Sequence, residues 1–347
     1  MKSSGAKLFN NGSHCLVIAE ISANHGQNFK QMVALINKAK ECGVDAIKFQ
    51  TYTPDSLTID VDNKYFRISQ SKWKAKTLYE LYEKAHTPWR WFKNIKKICA
   101  DLNIPFFSTA FDKKGVDLLE GLDVPFHKIS SFEIVDLPLI EYIAKTKKPL
   151  FISTGMASLD EIKTAVKTAK QSGAKEIILL KCVSSYPASP KEMNLITIPH
   201  MEKIFRCPVG LSDHTLGVGV AIAAVTLGAR VIEKHFTLSR KFKSADSFFS
   251  MEPGELKLLV ENIRVVEESL GKVKYGVTEG EKESQVYRRS LFFTEDLKKG
   301  EMLTEDNTRS IRPAYGLSPK YYKAIIGKKR AKVNIQKGTP LSWKVLL

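Results

Sequence analysis

PVGLSDHTLGVGVAIAAVTLGARVIEKHF, residues 208–236, holds a strand, a helix and a second strand in one continuous stretch. A short apolar run at 208–213 leads into Ser212, Asp213 and His214; helical periodicity follows at 216–227, and a second apolar run at 229–236 carries Glu233 and His235. One helix between two such runs implies parallel pairing through a right-handed crossover. Outward from this unit the pattern recurs. Strand-like runs fall at 16–20, 46–50, 105–110, 126–131, 149–154 and 176–183, and helical stretches at 29–42, 158–173 and 253–270. With the two quoted runs this makes eight strands within roughly 250 residues, the size of an α/β (β/α)8 TIM barrel. A doubly wound sheet is the rival architecture. Its dinucleotide-binding form needs a glycine-rich turn after the first strand, and Glu20-Ile21-Ser22-Ala23-Asn24-His25-Gly26 is not one.

The chain has 347 residues, 43 % hydrophobic and 26 % charged, a globular profile that excludes disordered, collagenous and membrane classes. No apolar run approaches the roughly 18 residues of a membrane span. The run Cys15-Leu16-Val17-Ile18-Ala19 is too short for a signal-peptide core, so a cytoplasmic protein is expected. Five widely spaced cysteines (15, 42, 99, 182 and 207) predict buried thiols, with neither a disulfide framework nor a zinc ribbon. The net charge is +17, and residues 284–347, with 14 Lys+Arg against 5 Asp+Glu, hold +9 of it. The expected organisation is a barrel over 1–270, a Gly- and charge-rich linker over 271–283 and a compact basic module over 284–347 with strand-like pieces at 290–293 and 331–335. The long connection at 51–104, with Trp73, Trp89 and Trp91, predicts an ordered excursion ahead of the second barrel helix.

In a parallel barrel the chemistry sits at the carboxyl ends of the strands. Here those ends are polar: Glu20; Lys48 and Gln50; Ser108 and Thr109; Lys128, Ser130 and Ser131; Ser153-Thr154-Gly155; Lys181, Ser184 and Tyr186; Ser212-Asp213-His214; Glu233 and His235. Alternation places Lys48 with Gln50, Ser212 with His214, and Glu233 with His235 on common faces. Lys48, Lys128 and Lys181 among hydroxyls suit phosphate and carboxylate oxygens, or one of them forms a Schiff base. His214 and His235, with Asp213 and Glu233 beside them, suit an open octahedral Mn2+ or Mg2+ site; a structural hydrogen bond is the equal alternative. Glu20 is either a base or charge stabiliser, or an ion-pair partner of Lys48. Ser153-Thr154-Gly155 either binds phosphate or leads to a helix cap at Ser158. His14, His86 and His200 read as surface or packing residues. Lys328-Lys329-Arg330-Ala331-Lys332 lacks the interleaved aromatics of a nucleic-acid surface and reads as a solvated face.

Several strings carry a resemblance. EISANH (20–25), AIKFQTYTPDSL (46–57), LYELYEKAHTPW (78–89), FHKISSFE (126–133), STGMAS (153–158), GLSDHT (210–215), GARVIEKHF (228–236) and SIRPAYGL (310–317) together resemble the sialic acid synthases, and within that family its pseudaminic branch. The resemblance implies a (β/α)8 barrel followed by a small SAF (antifreeze-like) domain, in a domain-swapped homodimer. It implies condensation of phosphoenolpyruvate with a diacetamido-trideoxyhexose, 2,4-diacetamido-2,4,6-trideoxy-altrose, releasing phosphate and giving a nine-carbon acid. Nucleic acid and membrane are not among the implied partners. By the same resemblance Lys48, Thr109, Lys128, Ser131, Ser153, Ser184, Tyr186 and Ser212 surround phosphoenolpyruvate. His214 and His235 are metal ligands, Glu20 is the catalytic carboxylate, and Gln50, Asp246 and Arg312 contact the sugar, Arg312 from the other subunit. The chain departs from the family's usual residues at Ala110, Val183, Ala245 and Gln70-Ser71-Lys72-Trp73.

Overall fold

The computed structural model describes residues 14–68 and 75–347, so the Gln70–Trp73 departure lies outside the described residues. Eight parallel strands close into a barrel: β1 (Leu16–Glu20), β2 (Ala46–Thr51), β3 (Phe106–Ala110), β4 (His127–Ile129), β5 (Leu150–Ser153), β6 (Ile177–Cys182), β7 (Val209–Asp213) and β8 (Val231–His235). β1 pairs with both β2 and β8, which excludes the open doubly wound sheet. The chain divides at Gly271, and residues 272–347 form a second compact unit.

Strand alternation builds the barrel interior in layers. Ile18, Ala46, Phe107, Phe151, Leu180 and Val231 point inward and form an apolar plug, with Phe107 stacked on Phe151 at 5.4 Å between ring centroids. Two residues further along the same strands stand Glu20, Lys48, Thr109, Ser153, Cys182 and Glu233, all lining one cavity. The opposite faces of these strands, including Val17, Ala19, Ile47 and Phe49, join the larger core beneath the helices. Gly210 allows β7 its place in this packing, because a Cβ there would meet the Val231 carbonyl oxygen at 2.5 Å and the Leu180 side chain at 2.8 Å.

Local chemistry explains the surrounding helices. Asn28 caps Phe29–Glu41, whose Met32, Leu35, Ile36 and Ala39 face the barrel. Ser158 and Glu161 form a capping box at the start of Leu159–Gln171, so the turn after β5 does lead to a helix cap. The long connection after β2 is ordered where it is described. It holds helices Pro54–Leu57 and Leu78–Ala85 ahead of Phe92–Asp101, and the Trp89 indole donates to the Tyr52 carbonyl.

The second unit has its own core of Leu291, Phe293, Leu297, Leu303, Ile325 and Leu341. Its two-stranded antiparallel sheet pairs β9 (Ser290–Phe293) with β10 (Thr308–Ile311). The strand expected at 331–335 is not formed. Ala331 and Ile335 make only isolated bridges, to Leu346 and Leu297, because their alternate side chains fill the core while the backbone turns through the segment. All five cysteines are free, four of them buried. Among the described residues no helix is long and apolar enough to cross a membrane.

Candidate active site

At the carboxyl ends of the strands lies a cavity of about 470 Å3. Its floor is an array of four buried charges. Lys48 Nζ pairs with Glu20 Oε2 at 2.8 Å and with Glu233 Oε1 at 3.6 Å, while Lys128 Nζ donates to Glu233 Oε2 at 3.0 Å. Glu20 is thus the ion-pair partner of Lys48, and it also faces the cavity. Lys48 also donates to Thr109 Oγ1 at 3.1 Å, and Ser212 Oγ to Glu233 Oε1 at 3.0 Å. Ser153 Oγ is buried with no hydrogen-bond partner, and Ser131 Oγ accepts from the Gly155 amide at 3.1 Å.

The electrostatics follow from burial and neighbours. Burial pushes the Glu20 carboxyl above its ordinary range, only partly opposed by Lys48. Burial pushes the same way at Glu233, but Lys128 and Lys48 outweigh it and hold this carboxyl low. Burial also depresses the Lys128 ammonium despite Glu233. The two carboxylates thus differ in kind: Glu233 is a fixed anion that anchors the lysines, and Glu20 sits closer to exchange of a proton.

One layer higher stand Gln50, His214 and His235. Gln50 Nε2 donates to Glu20 Oε1 at 3.0 Å and to Ser22 Oγ at 2.9 Å, and Ser22 in turn donates to Asp246. The imidazole rings of His214 and His235 lie 5.3 Å apart. Tyr186 covers His214 at 4.4 Å, and Phe249 packs on His235 at 4.8 Å. His214 Nδ1 bonds the Val183 carbonyl oxygen at 2.9 Å, so this departure from the family pattern contributes through its backbone. His235 Nδ1 is buried without a hydrogen-bond partner, 4.0 Å from Asp246 Oδ2. Burial, His214 and Lys48 keep His235 well below the ordinary histidine range, hence neutral. A neutral imidazole with an unspent buried nitrogen beside a second imidazole is a donor set that fits a divalent cation. No group of three His, Cys, Asp or Glu is arranged to hold a metal among the described residues, so such an ion would draw its other ligands from solvent or substrate.

The structure therefore gathers Glu20, Lys48, Gln50, Thr109, Lys128, Ser131, Ser153, Tyr186, Ser212, His214, His235 and Asp246 around one cavity. Ser184 stands just behind, with its Oγ 3.9 Å from Cys182 Sγ and against Gly155, where a Cβ would collide with the Ser184 and Ser131 hydroxyls. Arg312 belongs to the second unit, immediately after β10. Two expectations are corrected. Lys181 does not join the lysine floor: it is half-buried on the outer face of β6 and donates to the Cys182 carbonyl, while Cys182 faces the cavity. Asp213 does not flank the imidazoles, because it is turned outward into a buried pair with Lys234 at 3.0 Å.

Cys182, Glu133, Tyr52 and the helix residues Leu78, Leu81 and Tyr82 also line the cavity and were not singled out from sequence. Burial opposes ionisation of Cys182, but His214, Ser131 and Lys128 bring its thiol down to about 7. The available signal was alternation from Ile178 and Leu180. It is ambiguous in a strand buried on both faces. His25, buried and hydrogen-bonded to Thr87 at 3.1 Å, is a packing residue; His14 and His200 are exposed, and His86 is hydrogen-bonded to Gln27.

Comparison with known proteins agrees with this geometry. Residues 35–275 match the NeuB family and residues 288–347 the SAF domain. The chain is 42 % identical over 324 residues to the pseudaminic acid synthase of Campylobacter jejuni subsp. jejuni serotype O:2, covering 93 % of this chain and 94 % of that one. It is 41 % identical to the pseudaminic acid synthase of Helicobacter pylori, covering 94 % and 96 %. Among solved structures, the N-acetylneuraminic acid synthetase of Leptospira borgpetersenii superposes with a TM-score of 0.70 at 32 % identity, over 78 % of this chain and 90 % of that one. The barrel, the charged floor and these matches together place the chain in the NeuB family, with a SAF domain at its C-terminal end.

Proposed function

We propose that this chain is a pseudaminic acid synthase, condensing phosphoenolpyruvate with 2,4-diacetamido-2,4,6-trideoxy-altrose and water to give pseudaminic acid and inorganic phosphate. The observation that carries the proposal is the floor itself: two buried lysines and the Glu20 carboxylate beneath a pair of imidazoles, in a chain 41–42 % identical to pseudaminic acid synthases.

Lys48 and Lys128, with hydroxyls from Thr109, Ser131, Ser153, Ser184, Tyr186 and Ser212, bind the phosphate and carboxylate oxygens of phosphoenolpyruvate. Its C3 attacks the aldehyde carbon of the open-chain sugar: the enol electrons become the new C–C bond, the carbonyl π pair moves onto the aldehyde oxygen, and that oxygen takes up one of the two protons of the incoming water to become a hydroxyl. Positive charge then develops at C2, and Glu20 stabilises it. Water adds at C2 and gives up a proton, for which Glu20, with its raised affinity, is the nearby acceptor. The C2 hydroxyl then forms the carbonyl as phosphate leaves with the electron pair of the C–O bond, and the hydroxyl proton leaves with the inorganic phosphate. Gln50 and Asp246 orient the sugar. His214 and His235 would hold a divalent ion, Mn2+ or Mg2+, which when bound supplies Lewis-acid activation of the acceptor carbonyl. We further assign Arg312 to the sugar site of a partner barrel in a domain-swapped homodimer, and the reaction to the cytoplasm.

The test is phosphate release from phosphoenolpyruvate with altrose- and mannose-configured acceptors in the presence of Mn2+. Preferred turnover of the altrose derivative is expected, and preferred turnover of a mannosamine derivative would overturn the assignment. Because Lys128 is buried and its basicity lowered, a Schiff-base aldolase is the second reading. Borohydride trapping of the chain with pyruvate would establish it.

A further inference from the structure

The turn that follows β1 holds a backbone conformation that its own residue does not favour. Ser22 has a φ of 49°, in the left-handed region where a side chain is strained and glycine is not. It is buried, and its hydroxyl lies behind Gln50 and Asp246, which line the cavity. A strained residue of this kind persists only where the structure around it over-determines its place. Here the hydroxyl joins the two side chains assigned to the sugar: it accepts from Gln50 Nε2 at 2.9 Å and donates to Asp246 Oδ2. The Ala23 amide reaches the same Asp246 oxygen at 3.4 Å. The other hydrogen of Gln50 Nε2 goes to Glu20 Oε1 at 3.0 Å. Both amide hydrogens are thereby spent within the protein, and Gln50 meets a ligand through its carbonyl oxygen.

The rest of the turn is fixed independently of that hydroxyl. The buried Asn24 side chain donates from Nδ2 to the Phe236 carbonyl and to Ser250 Oγ at 2.8 Å each, and accepts from Ser244 Oγ at 2.6 Å. Ser250 Oγ in turn donates to the Asp246 carbonyl at 2.6 Å. The main chain of Asp246 is therefore held through Asn24, and its carboxylate through Ser22. His25 turns the other way, to Thr87 at 3.1 Å and edge-on to Trp91 at 5.5 Å. Loss of the Ser22 hydroxyl thus leaves the turn anchored and frees only two side-chain ends. We propose that Ser22 is a positioning residue for the acceptor sugar: the bridge from Gln50 through Ser22 to Asp246 sets the orientation of both side chains, and the left-handed backbone at this position carries a hydroxyl that glycine would lack. The proposal rests on the synthase reaction and on the sugar roles of Gln50 and Asp246.

The experiment measures phosphate release from phosphoenolpyruvate and the diacetamido-trideoxyhexose by the unaltered protein, Ser22→Ala and Ser22→Gly, with a thermal melt of each. Alanine keeps the strained backbone and glycine relieves it, while both remove the hydroxyl. Both variants should raise the acceptor KM by about tenfold and leave that of phosphoenolpyruvate unchanged. Combined with Gln50→Ala, Ser22→Ala should cost less than the product of the two single effects, because the two residues share one contact. Ser22→Gly, free of backbone strain, reports even if Ser22→Ala melts too low to assay. An unchanged acceptor KM in the folded variants, recovery in Ser22→Gly of what Ser22→Ala loses, or fully multiplicative effects in the double variant overturns the role of Ser22 while the synthase reaction stands. Absence of phosphate release by the unaltered protein overturns the reaction and this role together.

Discussion

Glu20 and Glu233 are the same residue type on neighbouring strands, yet their surroundings divide the work between them. Two lysines and Ser212 hold Glu233 as an anion, while Glu20 shares only Lys48 and Gln50 and burial dominates its titration. Glu20→Gln is expected to lower kcat by about 10²-fold or more with little change in KM for phosphoenolpyruvate, because it removes charge stabilisation needed only as the reaction proceeds. A phosphate-release assay beside a thermal melt checks both halves of that statement. His25 provides a pH dependence. Burial lowers it to about 4, and its Nδ1 accepts from the Gln27 amide, so the folded protein keeps it neutral. The unfolded chain takes up that proton below the ordinary value of about 6.5. Stability is therefore fully present above that pH and falls as pH drops through the window toward 4, by about 3 kcal/mol in all. Urea midpoints measured from pH 7 to 4.5 should show this slope, and His25→Asn should flatten it. At this scale the lysines and imidazoles on strand ends were legible because side-chain alternation and the barrel position rule act locally. The exchange of Lys181 for Cys182 was not legible, since both faces of β6 are buried and apolar alternation carries little contrast.

At the scale of elements, the ends of β7 and β8 are tied by a buried network on the face away from the cavity. Lys234 Nζ meets Asp213 Oδ2 at 3.0 Å, and Asp213 Oδ1 accepts from the Thr215 amide and hydroxyl at 2.8 Å each. These residues alternate in sequence with Ser212, His214, Glu233 and His235, so the pair fixes the strand ends from which the imidazoles project. Lys234→Met leaves a buried carboxylate uncompensated and should destabilise the barrel by about 3–5 kcal/mol. Asp213→Asn combined with Lys234→Met should recover part of the loss, as read from urea unfolding. β1 was located closely from its short apolar run, and the helix Pro253–Leu270 from its helical periodicity. β4, by contrast, contracts to His127–Ile129, because Ser130 and Ser131 leave the ladder to meet Glu133 and Gly155. In the second unit, β10 was missed because three of the four residues of Thr308–Ile311 are polar and only Thr308 is fully buried, with no apolar run to mark it.

At the scale of the whole molecule, the barrel and the small unit each carry a separate core, and the small unit concentrates positive charge on a chain one of whose proposed substrates, phosphoenolpyruvate, is anionic. If Arg312 serves a partner's barrel, Arg312→Ala should raise the acceptor KM by about tenfold or more and leave that of phosphoenolpyruvate unchanged. Mixing it with Glu20→Gln should restore about a quarter of wild-type activity per site when subunits exchange at random, because one site in each mixed dimer is then intact. No restoration would argue against the exchange. The eight-strand alternation and the polar strand ends follow from sequence alone, because a strand's period of two and a parallel crossover are consequences of local geometry. Tertiary structure decided the rest: which of two buried faces looks into the barrel, how four charges neutralise one another on its floor, and which residues of a long connection line the cavity. Those outcomes depend on contacts between strands far apart in the chain, and no local pattern encodes the distance at which Lys128 meets Glu233.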